Sequence, residues 1–123
     1  MELPEIGYLQ YVVIPKSLKM SAGKAISQGC HASFMALHEQ NIDDNGKMII
    51  EEWKSNGMCV IVLKCDTIEQ LLGLEKYCNQ WNIPCYLYID EGLTEKTIFY
   101  PTAFATGVIT KEQQWIFQKL EMY

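Results

Sequence analysis

Apolar and polar positions along this chain alternate between short, nearly continuous hydrophobic runs and longer stretches with helical periodicity. Tyr8 to Ile14 (YLQYVVI) is rich in β-branched and aromatic residues and stops at Pro15, which predicts a strand. Met20 to Leu37 (MSAGKAISQGCHASFMAL) contains no proline, several strong helix formers and a capping serine at Ser21, so a helix is expected from about Ala22. The polar, turn-forming linker HEQNIDDNG follows, then a helical pattern over Lys47 to Ser55 that ends at the cap signal Asn56-Gly57. Met58 to Leu63 (MCVIVL) has the length of a strand and the apolar continuity of one covered on both faces. Asp66 or Thr67 caps a further helix reaching about Trp81, which Asn82 and Pro84 break. Cys85 to Ile89 (CYLYI) reads as a third strand, Asp90-Glu91-Gly92 as a turn, and Thr102 to Ile109 (TAFATGVI) as a shorter fourth strand. Thr110 then caps a last helix, KEQQWIFQKL.

Helical crossovers between the first three strands imply that they are parallel, with right-handed connections. The loop of roughly a dozen residues before the fourth permits an antiparallel return. The expected fold is α/β: three layers, α/β/α, with a four-stranded mixed sheet and helices on both faces, formed by residues 1–123 as a single domain.

At ~100° per residue the helix from Ala22 divides into three lengthwise stripes. Ala25, Gly29, Ala32 and Ala36 form a stripe of minimal side chains where another backbone can approach closely. Ile26, Cys30, Phe34 and Leu37 form an apolar stripe beside it, expected to pack. Lys24, Gln28 and His31 share a third face. A polar stripe on an amphipathic helix ordinarily faces water. Lys24, however, sits in the first turn, where the helix dipole disfavours a cation and where free backbone N–H groups suit an anion such as a phosphate.

Composition adds bounds. The 49% hydrophobic and 20% charged content is that of an ordinary globular protein. No apolar run approaches the ~20 residues that cross a bilayer, and MELPEIG lacks a signal-peptide pattern, so a cytoplasmic protein without membrane contact is expected. The five cysteines (Cys30, Cys59, Cys65, Cys78, Cys85) are odd in number and include no C-x-x-C pair, so buried reduced thiols are expected rather than disulfides or metal ligands. A net charge of -5 argues against indiscriminate coating of nucleic acid. All ten basic residues are lysines, so any anion site works through point charges and backbone amides.

In open α/β sheets, ligands bind beyond the carboxyl ends of the parallel strands. That rim should gather Lys16, Lys19, Lys24, Lys64, Asp90 and Thr102, while Asp43, Asp44, Glu51 and Glu52 go to the opposite end. Taken singly, Asp90 suits a turn that bonds its own backbone and Thr102 suits a strand start; their shared rim favours function. Ser21 and Lys24 fit the S-x-x-K of serine acylases, but the partner motifs S-D-N and K-T-G are missing. His31 and His38 lack H-E-x-x-H or paired cysteines, which argues against a zinc site.

Leu18-Lys19-Met20, Gly23-Lys24, Gln28 and His31-Ala32 have the spacing of the motif L-K-M-x-x-G-K-x-x-A-Q-x-x-H-A, with Ser27 where alanine is usual. Asp90, Gly92, Thr94, Thr102 and Gly107 have the spacing of a second signature, from which Glu91, Leu93, Glu95 and Val108 depart. Over about residues 8 to 120 the chain thus resembles the second class of peptidyl-tRNA hydrolases, the archaeal and eukaryotic type. Pro15 and Ser17 replace that family's common arginine and aspartate before the helix.

The resemblance implies hydrolysis of the ester joining a peptidyl or N-blocked aminoacyl group to the 3' end of tRNA, without metal or cofactor. It assigns Lys24 to electrostatic stabilisation and Asp90 to orienting Lys24 or the attacking water, with Gln28 and Thr102 positioning water or substrate. It leaves substrate binding to Lys16, Lys19, His31, Lys64 and Thr94, and it implies pairing into a homodimer. Tyr77, Trp81, Tyr86 and Tyr88 form the aromatic surface expected to take part in that pairing. The other readings are a family-fold module that binds RNA or protein without turnover, and a hydrolase of another small acyl ester or amide.

Overall fold

The computed structural model describes residues 7–90 and 100–123. Among these the chain runs β1 (Tyr8–Pro15), α1 (Ala22–Gln40), α2 (Asp44–Ser55), β2 (Val60–Cys65), α3 (Ile68–Gln80), β3 (Cys85–Asp90), β4 (Tyr100–Thr106), β5 (Ile109–Thr110) and β6 (Glu121–Met122). Short 3-10 turns occupy Lys16–Leu18, Lys111–Gln113 and Phe117–Lys119. No helix among the described residues is long and apolar enough to cross a membrane.

The helices begin where side chains can satisfy their first free N–H groups. Ser21 Oγ accepts from Lys24 N at 3.2 Å to start α1. Asp43 Oδ1 accepts from Gly46 N at 2.6 Å, so α2 begins at Asp44, earlier than the expected Lys47. Thr67 and Gln70 close a reciprocal capping box at the head of α3. Helix α1 also runs on to Gln40, absorbing His38 and Glu39 that the pattern assigns to a linker.

β1 and β2 are parallel in the register Val12 to Val62. β4 is antiparallel to both its neighbours, pairing Phe104 with Val13 and Ala103 with Tyr88. β3 therefore runs with β1 and β2, as expected, and the carboxyl ends of all three share a rim with the start of β4.

The sheet is larger than expected. Among the described residues it has six strands, in the order β3-β4-β1-β2-β6 with β5 added to β1, where four were expected. Two causes account for the difference. Gln40 reaches from the end of α1 to clamp Val108, accepting from its N–H at 2.7 Å and donating to its carbonyl at 2.9 Å. That contact divides the expected fourth strand into β4 and β5. The expected last helix is instead two single turns, because Phe117 is drawn into the core, stacked on Tyr11 with ring centroids 4.9 Å apart. β6 then pairs along the free edge of β2, Met122 beside Leu63. Core burial and edge pairing outweigh local helix propensity here.

Side chains alternate along β1 to opposite faces. Leu9, Tyr11 and Val13 join Ile61, Leu63, Leu71, Leu74, Cys78 and Phe117, beneath α3. Val12 and Ile14 meet Ala25, Ala32, Ala36, Ala103 and Ala105, beneath α1. The small-residue stripe of α1 is buried as expected, and a Cβ at Gly29 would come within 3.2 Å of Val12 Cγ1. Gln10, fully buried on this face, donates to Thr106 O at 2.9 Å and accepts from Ser33 Oγ at 2.7 Å, fixing the helix against the sheet.

The neighbouring apolar stripe does not pack as expected. Ile26 is 66% and Phe34 67% exposed, Cys30 is exposed, and Leu37 alone is half-buried. β2 likewise has one uncovered face, with Val60 45% and Val62 39% exposed. These side chains and Tyr123 line an open apolar groove of about 390 Å³ between α1 and β2.

The glycines provide the stability test. A Cβ at Gly46 would lie 1.7 Å from the Gln40 carbonyl oxygen, a backbone atom that cannot step aside, whereas one at Gly73 in α3 meets nothing within 4 Å. Gly46→Ala is expected to destabilise by about 3 kcal/mol, the upper end for overpacking. Gly73→Ala should stabilise by about 0.5–1 kcal/mol through the unfolded chain's lost freedom. Urea denaturation of both variants checks the opposite signs.

Candidate active site

The polar face of α1 lies over β3 and β4, with Gln28 buried and Lys24 and His31 still reaching water. Lys24 Nζ is 3.7 Å from Asp90 Oδ2, the last residue of β3. Four residues on, Gln28 Oε1 accepts a short hydrogen bond from Thr102 Oγ1 in β4. Three residues further, the His31 imidazole stacks on the Tyr88 ring. Three successive contacts thus join one helix face to two strands, repeating at the i, i+4, i+7 spacing of that face.

Each contact differs in access. Half of the Lys24 side chain and about a fifth of Asp90 are exposed (50% and 22%), so this pair sits at the open rim. Gln28 is only 7% exposed and Thr102 is fully buried, so Thr102 reaches the site through Gln28. With its oxygen engaged by Thr102, Gln28 has its amide nitrogen left as a directed donor. The first turn of α1 contains no acidic residue, and Asp90 supplies from β3 the negative charge that a helix N-terminus favours.

The remaining lysines of the rim form a separate group. Lys16, Lys19 and Lys64 line a pocket of about 240 Å³ with Ile14, Pro15, Met20 and Tyr123. Lys16 Nζ pairs with Asp66 at 3.0 Å and with Glu121 at 3.8 Å, and Lys64 Nζ pairs with Glu121 at 3.7 Å. The hydrogen bond to Asp66, reinforced by the charges of Asp66 and Glu121, raises the Lys16 pKa above its usual value and keeps it cationic. Lys19 closes the turn after β1 in the left-handed backbone region, at φ 49°. Thr94 lies outside the described residues, as do Gly92, Glu91, Leu93 and Glu95.

Asp43 lies at the opposite end of the sheet, lining a polar pocket with Glu39, Asn79, Asn82 and Cys85. The thiols are all free, but Cys30 is exposed, against the expectation of burial, because its stripe is the unpacked one. Cys85 Sγ donates to Asn79 Oδ1 at 3.7 Å, and the interaction of the neighbouring Cys78 and Cys85 thiols pulls the Cys85 pKa down and pushes that of Cys78 up. Among the described residues, no three of His, Cys, Asp and Glu cluster so as to hold a metal ion.

The sequence reading missed two features of this site. Tyr88 was expected on a pairing surface; it packs instead beneath α1. Period-two alternation places it on the same face as Asp90, which is the signal that could have found it. Asp66 and Glu121 were not expected at the lysine rim. Glu121 arrives there only because the chain end forms β6, and the helical pattern of the last residues conceals that.

Comparison with known proteins places this geometry in context. The family described as "Peptidyl-tRNA hydrolase PTH2" matches residues 8–123. A protein named peptidyl-tRNA hydrolase from Methanococcus maripaludis strain C7 is 38% identical over 107 residues, covering 86% of this chain and 90% of that protein. One of the same name from Methanopyrus kandleri is 38% identical over 88 residues, covering 72% and 73% respectively. A "probable peptidyl-tRNA hydrolase 2" from Dictyostelium discoideum is 33% identical over 103 residues, covering 84% of this chain and 48% of that protein.

Proposed function

The chain belongs to the peptidyl-tRNA hydrolase PTH2 family, and from that premise we propose that it cleaves the ester between a peptidyl or N-blocked aminoacyl group and the 3' end of tRNA, acting as a single domain in the cytoplasm. The observation that carries the reading is the Lys24–Asp90 pair, held half-open at the rim by α1 and β3 beside the Gln28–Thr102 hydrogen bond.

Ester hydrolysis needs an oriented water, stabilisation of the tetrahedral oxyanion, and a proton for the leaving ribose hydroxyl. Lys24 provides a positive charge where the oxyanion develops. Asp90 holds that ammonium in place and offers a carboxylate to the attacking water. Gln28 is the fixed donor beside them, and Thr102 positions it from the buried side. Lys16, Lys19 and Lys64 take backbone phosphates of the tRNA, with Thr94 assigned to substrate as well, and His31 supports binding at the far end of the face. Two copies pair through the apolar groove between α1 and β2, where Ile26, Phe34, Val60, Val62 and Tyr123 are exposed.

Three measurements test these assignments. Purified protein should release free tRNA from diacetyl-lysyl-tRNA, and Lys24→Ala or Asp90→Asn should lower turnover by about 100-fold or more with little change in melting temperature. Failure of the wild type to turn over that substrate would move the reading to a binding module. For the lysine rim, Glu121→Gln should tighten tRNA binding by a few tenths to ~1 kcal/mol at low ionic strength, because it releases Lys64 and removes one of the two carboxylates beside Lys16, and the gain should shrink as salt rises. An equal affinity at low salt would remove the rim from the RNA contact. Light scattering at high micromolar concentration should report a dimer, and Phe34→Asp should reduce it to monomer.

A further inference from the structure

Beyond the Lys24–Asp90 pair and the Gln28 amide, the same helix face ends in a contact that ester hydrolysis does not itself require. The His31 imidazole lies on the Tyr88 ring with centroids 4.8 Å apart and planes 16° apart, an offset, near-parallel stack. Tyr88 is half-buried against the core beneath α1, whereas His31 is exposed. Tyr88 covers one face of the imidazole, so the exposure of His31 lies on its outer face and edges. Among the described residues the imidazole nitrogens make no hydrogen bond, which leaves stacking as what holds the ring flat.

Position gives the stack a meaning. Gln28 and His31 stand four and seven residues beyond Lys24, about 6 and 10 Å along the helix axis at ~1.5 Å per residue. In the substrate, the ester sits on a ribose and the nearest aromatic group is the base of that same nucleotide, about one nucleoside's length away. With the carbonyl at Lys24 and Asp90 and the ribose beside Gln28, the base falls at His31. A flat, backed aromatic ring is the surface on which a nucleobase stacks, and such stacking tolerates any base because every base has a π-face.

We propose that the His31–Tyr88 stack is the subsite for the base of the tRNA's 3'-terminal nucleotide. The base lies on the outer face of His31, and Tyr88 is the positioning residue that holds the imidazole plane. This rests on the hydrolase reading above and adds to it what fixes the ribose relative to Lys24.

The test uses two substrates: diacetyl-lysyl-tRNA, whose acyl group has no ring, and the same tRNA ligated to a 3' end acylated with diacetyl-lysine whose last nucleotide lacks its base. One stacked base contributes about 5- to 150-fold in affinity, the equivalent of ~1–3 kcal/mol. Wild type should show a KM raised by that factor on the base-lacking substrate, with kcat little changed. His31→Ala should raise KM by a similar factor on the intact substrate, and the losses from removing the ring and removing the base should not add. His31→Phe and Tyr88→Phe retain a ring and should stay near wild type, while Tyr88→Leu should follow His31→Ala. Equal losses on both substrates in His31→Ala, or additive ones, would overturn the subsite and leave the hydrolase reading standing. Failure of wild type to hydrolyse even the intact substrate would overturn both.

Discussion

The closeness with which α1 approaches the sheet governs where the other parts of this molecule lie. Ala25, Gly29, Ala32 and Ala36 lower the helix backbone onto β1 and β4, against Val12, Ile14, Ala103 and Ala105. Two of those four strand residues are alanine and the other two are β-branched and stiff, so neither surface yields readily. Two buried polar contacts depend on this separation, Gln10 to Ser33 and Thr102 to Gln28, and both connect short reaches. A helix lifted by one methylene layer would leave these groups unpaired in the interior, at a cost of about 1–3 kcal/mol each. The packing and the candidate chemistry therefore share one geometric requirement.

The same placement explains why the two flanks of α1 differ. A helix with its side chains is about 10 Å wide and neighbouring strands are about 4.8 Å apart, so one helix covers roughly two strands. α1 is centred over β4 and meets β3 and β1 on either side of it. One flank overhangs β3, where Lys24, Gln28 and His31 find partners. The other stops short of β2, so Ile26 and Phe34 find none, and Val60 and Val62 are left uncovered. An apolar stripe on this helix thus stays at the surface for the same reason that a polar stripe becomes half-buried.

That inversion marks the limit of what the sequence made legible. The first three strands and their shared direction, the start of α1 and its small-residue stripe were readable, because they follow from local periodicity, capping and connection length, whereas β5 and β6 were not. The meeting of Lys24 with Asp90 was readable too, since it needs only the rule that parallel strands end at one rim. Helical periodicity also separates the three stripes of α1, but it cannot say which flank meets a strand, since that depends on how the helix is centred across the sheet. The C-terminal stretch failed for a related reason. Its helical pattern is real, and Thr110 and Gln113 do form a capping box, but Phe117 stacks on Tyr11, whose position is fixed more than a hundred residues earlier in the chain. Local sequence contains no record of such partners.

Charge completes the logic of the site. A chain with net charge -5 contains three lysines around one small pocket, and each lysine with a carboxylate beside it shares that carboxylate's field. A polyanion arriving at this pocket exchanges with Glu121 and Asp66 as well as with counterions. Because all the cations are lysines, no guanidinium fork locks a phosphate in place, and each contact remains a screened point charge. Such a rim holds a polyanion loosely. Under the proposed reading this is appropriate, because product tRNA carries the same phosphates as substrate, and tight phosphate binding would slow release without favouring the transition state. Discrimination then falls to the groups on the polar face of α1, which meet the reacting end of the substrate and not its backbone.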